Sequence, residues 1–321
     1  MLTQISKALD KLGPLFMNEN IHEIFVDAKN DIYFEEKGII QDAKFEFDSE
    51  DDVLKVIKNL FKICGKDIKD FPQGSDLRLP DGSRAMVVLQ PLALKGPSLI
   101  IRKFPKQDFA WDQLIEWGAI SKEGVEIIVN ILSSGKSLLI AGGVGSGKTT
   151  LANLITNSIP KEWRIIIAEK VAEMNVKRKR MVVLESANHD EKSFIELLDM
   201  TSKMRPDSIV INELKGKESA KAIELSRSGH QVLATIHSED HYDALKRVEL
   251  QCLSGNLGVG LSEIKSLVAT GFQYVIYQKR CSDGKRRVYF IGKTDGLTEE
   301  GRYKLIPMYR YDEEKSQFKV I

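Results

Sequence analysis

The stretch from Gly142 to Thr149, GGVGSGKT, fits G-x-x-x-x-G-K-[ST] and limits the possible folds more than any other part of the chain. It follows an apolar run, SLLIAGG, and leads into a helical one, TTLANLITNSI, the strand–loop–helix setting a phosphate-binding loop requires. Gly142, Gly143, Gly145 and Gly147, with Val144 and Ser146 between them, let the backbone turn its N–H groups inward around phosphate oxygens. The positive end of the helix that takes in Thr149 and Thr150 adds to the same field. Lys148 is expected to reach the β and γ phosphates of a nucleoside triphosphate, and the Thr149 hydroxyl to sit on Mg²⁺.

Three further apolar runs, RIIIAE, SIVINE and VLATIH, alternate with helical stretches such as SFIELLDMTSKM and ESAKAIELSRS. Short buried strands alternating with helices predict an α/β fold with a parallel sheet covered on both faces. Ligands of such sheets gather at the carboxyl ends of the strands. Acids stand there: Glu169 and Glu173 in IIIAEKVAEM, and Glu213 in SIVINELKG. A carboxylate at that place can orient an attacking water or hold the water shell of a metal. Glu169 is expected to be a helix-N-terminal or surface acid, and Glu213 a functional one.

SGHQVLATIH places His230 and His237 seven positions apart. Residues an odd number apart on one strand point to opposite faces, so this strand cannot aim both at one metal. His237 ends the run and could donate a hydrogen bond to a terminal phosphate. His230 either packs in the core or shapes the turn before the strand.

Residues 22 to about 102 read as a small mixed α/β domain: IHEIFVDAKNDIYFEEKGII as a hairpin, DDVLKVIKNLFKI as a helix, and RAMVVLQPL and PSLIIRKF as strands. Pro105 and its polar neighbours mark a linker, giving an N-terminal domain at 1–104, a linker at 105–112 and a second domain at 113–321. The tail FQYVIYQKRCSDGKRRVYFIGK is a hairpin around an Asp-Gly turn, and YKLIPMYRYD a further strand.

Composition removes several classes of function. The 47 Lys and Arg nearly balance the 46 Asp and Glu, so no overall field draws in nucleic acid, and direct nucleic-acid binding is not expected. Cys64, Cys252 and Cys281 are scattered and odd in number, which fits neither a disulfide framework nor a zinc knuckle and suits a reducing cytosol. The apolar runs are too short to span a bilayer. At the start of the chain, Lys7, Asp10 and Lys11 interrupt any apolar signal region, while Leu2, Ile5, Leu9 and Leu12 mark one helical face. That face either packs on its own domain or lies on a membrane surface. Two basic runs, VKRKR and KRCSDGKRR, read as solvated faces or as contacts with anionic lipid or a partner.

The P-loop, AEKVAEM, RPDSIVINELKG and SGHQVLATIH, in that order, resemble the ATPases of type II and type IV secretion, conjugation and type IV or Tad pilus assembly. Their Walker A, Asp box, Walker B and His box match Gly142 to Thr149, Glu169 to Glu173, Ile209 to Glu213 and Gly229 to His237. RLPDGSRAMVVLQPLALKGPSLIIRKF resembles the N-terminal sequence of the Tad and conjugation branch, so the likeness runs from about Ile21 to the C-terminus.

The resemblance implies a RecA-like P-loop NTPase core with a smaller mixed-sheet α/β N-terminal domain, and Mg²⁺-dependent ATP hydrolysis. It also implies a hexameric homo-oligomer in the cytoplasm, docked at the inner membrane on platform or secretion-channel proteins. Glu213, Glu173 and His237 would be catalytic, with Glu173 on Mg²⁺ directly or through water. Arg84 of PDGSR and Arg102 of IIRKF would approach the phosphates, where guanidinium groups neutralise building charge. Arg84 could instead simply end a strand turn.

The chain departs from the family pattern in three places. Lys170 stands where a second acid is usual, Asn212 where a glycine is common, and Lys215 where an arginine could make a bidentate fork. These leave a second expectation open, a nucleotide-gated structural ring with weak turnover. A P-loop kinase is a third, for which no acceptor site is visible.

Overall fold

A computed structural model describes residues 2–36, 39–104, 109–186, 190–255 and 258–321, and the chain divides into units of residues 1–107 and 108–321. Of the linker expected at 105–112, residues 105–108 lie outside the described residues, and Trp111 and Asp112 already belong to a helix.

The first unit runs α1 (Leu2–Ala8), α2 (Gly13–Met17), β1 (Ile21–Ala28), β2 (Asp31–Glu36), β3 (Ile39–Asp42), α3 (Glu50–Ile63), β4 (Gly74–Arg78), β5 (Arg84–Val88) and β6 (Ser98–Arg102). Its strands form an antiparallel sheet in the order β3-β2-β1-β6-β5-β4. Ser49 and Asp52 start α3 with a reciprocal capping box, which satisfies two otherwise orphaned N–H groups. Val53, Val56, Ile57 and Leu60 then recur at helical spacing and are buried with Ile24, Val87 and Leu99 of the sheet. Ile5, Leu9 and Leu12 join the same core, so the N-terminal helical face packs on its own domain.

The second unit continues with α4 (Trp111–Glu116), α5 (Lys122–Ser133), β7 (Leu138–Gly142), α6 (Lys148–Asn157), β8 (Ile165–Glu169), β9 (Met181–Glu185) and α7 (Glu191–Ser202). There follow β10 (Ser208–Leu214), α8 (Glu218–Arg227), β11 (Gln231–His237), α9 (His241–Ser254) and α10 (Leu261–Gly271). The unit closes with β12 (Tyr274–Arg280), β13 (Arg286–Leu297), β14 (Tyr303–Asp312) and β15 (Gln317–Val320). Among the described residues the sheet has nine strands in the order β15-β14-β13-β12-β7-β11-β10-β8-β9. The strands from β12 to β9 run parallel, as the sequence predicts for the core, and β13 to β15 continue the sheet antiparallel.

Strands β7, β8, β10 and β11 are apolar along nearly their whole length because both faces are covered. Leu139, Ala141 and Ile211 face one hydrophobic cluster; Leu138, Ile140 and Val210 face the other. The half-exposed edge strand β9, MVVLE, is apolar in four of its five residues but directly follows VKRKR, and the sequence reading did not mark it as a strand.

That basic run is not the uniform solvated face its composition suggests. The Arg178 guanidinium donates to the carbonyls of Thr156, Ile159 and Pro160 at 3.1, 3.0 and 2.8 Å, closing the carboxyl end of α6.

Candidate active site

Strand order brings the motif residues together. His237 at the end of β11 lies beside Gly142 at the end of β7, and Gln278 of β12 flanks Gly142 on the other side. One strand further out, β10 carries Glu213, and beyond it Glu169 of β8 pairs in register with Asn212.

The loop after β7 has the backbone of a phosphate cradle. Gly145 and Gly147 take φ of +68° and +93°, which disfavours any residue with a Cβ. A Cβ on Gly142 would meet the Gln278 carbonyl oxygen at 2.3 Å, so close packing of β7 on β12 demands glycine there. A Cβ on Gly143 or Gly145 would meet nothing within 4 Å, leaving room for a ligand. Ser146 Oγ is buried with no hydrogen-bond partner among the described residues. Thr149 and Thr150 lie in the first turn of α6, and Gly147 is its N-cap.

Lys148, His237 and Glu213 form a chain. Lys148 Nζ donates to the Gly143 carbonyl at 2.8 Å and lies 3.0 Å from His237 Nδ1. An ammonium can only donate, so Nδ1 is the acceptor and the ring proton sits on Nε2. Nε2 lies 2.9 Å from Glu213 Oε1, and Lys215 Nζ lies 2.8 Å from Glu213 Oε2. Burial pushes Lys148 down to about 8, against the attraction of Glu213. Burial, and then the Lys148 charge, hold His237 below its ordinary value, which keeps the imidazole neutral.

Glu213 stands on a bulge. Ile211 pairs with Ala234 and Leu214 with Ile236, so Asn212 and Glu213 together face the single Thr235. Glu213 takes φ of +65°, a strained conformation for a residue with a side chain. Thr235 Oγ1 supports it, accepting from the Glu213 N–H at 2.8 Å and donating to Asn212 Oδ1 at 3.3 Å. Replacing Thr235 by Val keeps the shape but orphans that N–H, and is expected to cost about 1–3 kcal/mol in denaturant unfolding. Thr235→Ser, which keeps the hydroxyl, is expected to recover most of the loss.

Asn212 Nδ2 donates to Glu169 Oε1 at 2.9 Å, and so do the amides of Glu173 at 2.9 Å and Met174 at 3.0 Å. Glu169 is therefore not the surface acid expected from the sequence. It is fully buried, and its Oε2 has no hydrogen-bond partner among the described residues. Burial pushes its carboxyl up to about 7, and the Glu173 charge adds to the rise, against the three hydrogen bonds that lower it.

Between the ordinary value of 4.5 and about 7 the native state holds more protons than the unfolded chain, so Glu169 makes stability fall as pH rises across that window. The full loss is about 3 kcal/mol. Glu169→Gln should remove it, gaining on the wild type in thermal melting at pH 8 compared with pH 5. Parallel pH profiles for the two proteins would show that Glu169 is ionised throughout.

The other departures from the family pattern also find partners. Lys170 Nζ lies 3.8 Å from the buried Glu218 Oε1 and 5.7 Å from the centre of the Phe194 ring. Glu218 Oε1 in turn accepts from the amides of Lys215 and Gly216 at 2.8 and 3.1 Å, fixing the loop that follows Glu213.

Arg84 and Arg102 are register neighbours on β5 and β6 of the first unit. Arg84 forks onto Asp76, its Nε to Oδ1 at 3.3 Å and its Nη2 to Oδ2, while Arg102 Nε lies 3.4 Å from Glu23 Oε1.

Sequence reasoning gave no role to Thr235, Gln278 or Arg286. Arg286 was hidden in the basic run KRCSDGKRR, whose residues have separate duties. Arg287 forks onto Asp283 at 2.7 and 2.6 Å and lies 4.5 Å from the centre of the Tyr311 ring, while Arg286 Nε donates to the Gly145 carbonyl of the P-loop at 2.8 Å. The run is thus exposed along most of its length, as a solvated face would be, but is tied down by Arg287 and reaches the P-loop through Arg286.

Residues 8–305 match the family described as Type II/IV secretion system protein. The chain belongs to that family. It is 29% identical over 302 residues to the uncharacterized protein MJ0900 of Methanocaldococcus jannaschii, covering 91% of this chain and 53% of that protein. The chain thus spans about half the length of this archaeal relative. It is 25% identical over 315 residues to the putative conjugal transfer protein Rv3659c of Mycobacterium tuberculosis, covering 94% of this chain and 88% of that one. The structure of the ATPase DotB from Yersinia pseudotuberculosis superposes with a TM-score of 0.62 at 17% identity, covering 89% of this chain and 78% of that one. This family member has the RecA-like core and smaller N-terminal α/β domain of such proteins.

Proposed function

We propose that the chain is an Mg²⁺-dependent ATPase that powers a secretion, conjugation or pilus-assembly apparatus. The observation that carries this reading is the chain Lys148–His237–Glu213 at the mouth of a glycine-rich phosphate cradle. Triphosphate in the cradle draws Lys148 from the Gly143 carbonyl and His237 onto the β and γ phosphates. His237 Nδ1 then loses its donor, so the imidazole senses whether the lysine is engaged. The Glu213 carboxylate keeps lone pairs beyond those that face His237 at Oε1 and Lys215 at Oε2, and one of them can accept from the attacking water. Arg84 and Arg102 of the first unit remain the arginines that the family likeness assigns to neutralising charge on the phosphoryl group.

The donors suit Mg²⁺. Among the described residues no group of three or more His, Cys, Asp and Glu could hold a metal by itself. A hydroxyl, one carboxylate and nucleotide phosphates are the set this ion uses. Thr149 would hold it, with Glu173 directly or through water, and the ion would neutralise charge on the β and γ oxygens.

Among the described residues no helix is long and apolar enough to cross a membrane. Family membership supports a homo-oligomeric ring, a hexamer, working at the cytoplasmic face of the inner membrane on platform or channel proteins. Phosphate release by the purified protein with ATP, measured with and without Mg²⁺, tests the activity, and light scattering tests the ring. Rings that form with ATP but release no phosphate, even with a platform partner present, would replace the motor by a nucleotide-gated scaffold.

A further inference from the structure

The turn between β12 and β13 stands against the P-loop on the side away from His237. Arg286 opens β13 there, and only its Nε is spent, on the Gly145 carbonyl; its guanidinium makes no other hydrogen bond within the described residues. Behind it lies a cavity of about 640 Å³, a size that suits a small organic ligand. Gly147 and Thr150 line this cavity, while Lys148, Glu213 and His237 do not. The cavity therefore adjoins the loop and first helical turn but not the group that would act on the terminal phosphate.

The walls differ in chemistry. Phe109 and Trp117, edge to face with ring centroids 5.5 Å apart, supply aromatic surface. The hairpin supplies cations, Arg280, Lys285 and Arg286. Between hairpin and P-loop lies Gln278, only 4% exposed, whose Oε1 has no hydrogen-bond partner among the described residues. A buried amide that keeps an acceptor unsatisfied costs free energy, which points to a polar ligand that completes it. A flat base on the aromatic side and phosphate on the cationic side match this arrangement.

We infer that Arg286 is a nucleotide-binding residue. It holds the inner phosphates, which ATP and ADP share, while it clamps the P-loop through Gly145. The inference rests on the ATPase reading and differs from it in what it predicts. Lys148 and His237 serve the terminal phosphate, so their loss acts on turnover. Arg286 serves the inner phosphates, so its loss acts on binding of both nucleotides alike.

The test uses the full chain with Mg²⁺ and fluorescent methylanthraniloyl derivatives of ADP and ATP, titrated against wild type, Arg286→Ala and Arg286→Gln. Gln keeps a donor for the Gly145 carbonyl but no charge, so it separates phosphate attraction from the clamp. Both variants are expected to weaken both nucleotides about tenfold or more, and to raise KM while kcat stays within about twofold. The side chain lies on the surface, so melting temperatures should stay close to wild type. Unchanged ADP affinity in Arg286→Ala would overturn the inference. So would wild-type affinity in Arg286→Gln, or a fall in kcat at unchanged KM. Wild-type protein that binds neither nucleotide would overturn the ATPase reading itself.

Discussion

Lys148→Ala is expected to lower kcat for Mg-ATP by at least about 10²–10³-fold, the usual effect of removing a positioned charge from a developing anion. The reason is local. Lys148 is the only residue of the cradle motif GGVGSGKT with a cationic side chain, and its Nζ already stands beside His237, ready to change partner. Holding it there costs free energy, because burial, with the Lys215 charge adding to it and Glu213 opposing, pushes the ammonium down to about 8. Triphosphate returns that cost by supplying the negative charge the ammonium lacks. The fold should survive the substitution, since among the described residues the Lys148 side chain hydrogen-bonds only to the Gly143 carbonyl and His237 Nδ1, and alanine is a good helix former at the start of α6. Phosphate release and thermal melting on the same preparation check both statements. Full turnover in this variant would remove the P-loop from the mechanism.

His237→Ala should separate turnover from binding. Its imidazole links Lys148 to Glu213, so its loss is expected to lower kcat about 10²-fold, while ATP affinity changes by no more than about threefold. The pH dependence has a definite sign. His237 is held below its ordinary value of 6.5, so it is neutral at physiological pH and becomes charged only under more acid conditions. Once protonated, Nδ1 can no longer accept from Lys148, and activity should fall on the acid side below about that ordinary value. His237→Ala should lose this acid limb.

His230→Ala is the contrasting variant. His230 lies in the turn between α8 and β11, with Nδ1 3.3 Å from both Ser228 Oγ and the Leu225 carbonyl. Its loss should lower the melting temperature and leave hydrolysis near wild type. Equal, metal-dependent losses in the two variants would mean that the histidines act as a metal pair.

The core of the second unit was legible because its chemistry is local. GGVGSGKT carries its own backbone requirements, and four apolar runs alternating with helices leave little choice but a covered parallel sheet. The resemblance also marked Glu213 and His237, and the sheet brings His237 within contact of both Glu213 and Lys148. Glu169 was misread for an equally physical reason. An acid at a strand end looks exposed until the neighbouring strand is known, and here Asn212 of β10 and the amides of Glu173 and Met174 cover it. Lys170 and Asn212, which break the family pattern, looked like losses; each has a partner in Glu218 or in the Glu169–Thr235 bridge.

By itself, then, the sequence determined the class of fold, the phosphate cradle and the order of the residues that surround it, because glycine freedom, strand periodicity and helix starts act over a few neighbouring residues. Only the tertiary structure decided which charges meet. Strand order placed β12 beside β7 and β10 beside β11, and so brought Arg286 to the Gly145 carbonyl and set Glu213 on a bulge held by Thr235. Such partners lie 141 and 22 residues apart in the chain, and no local rule of sequence reaches that far.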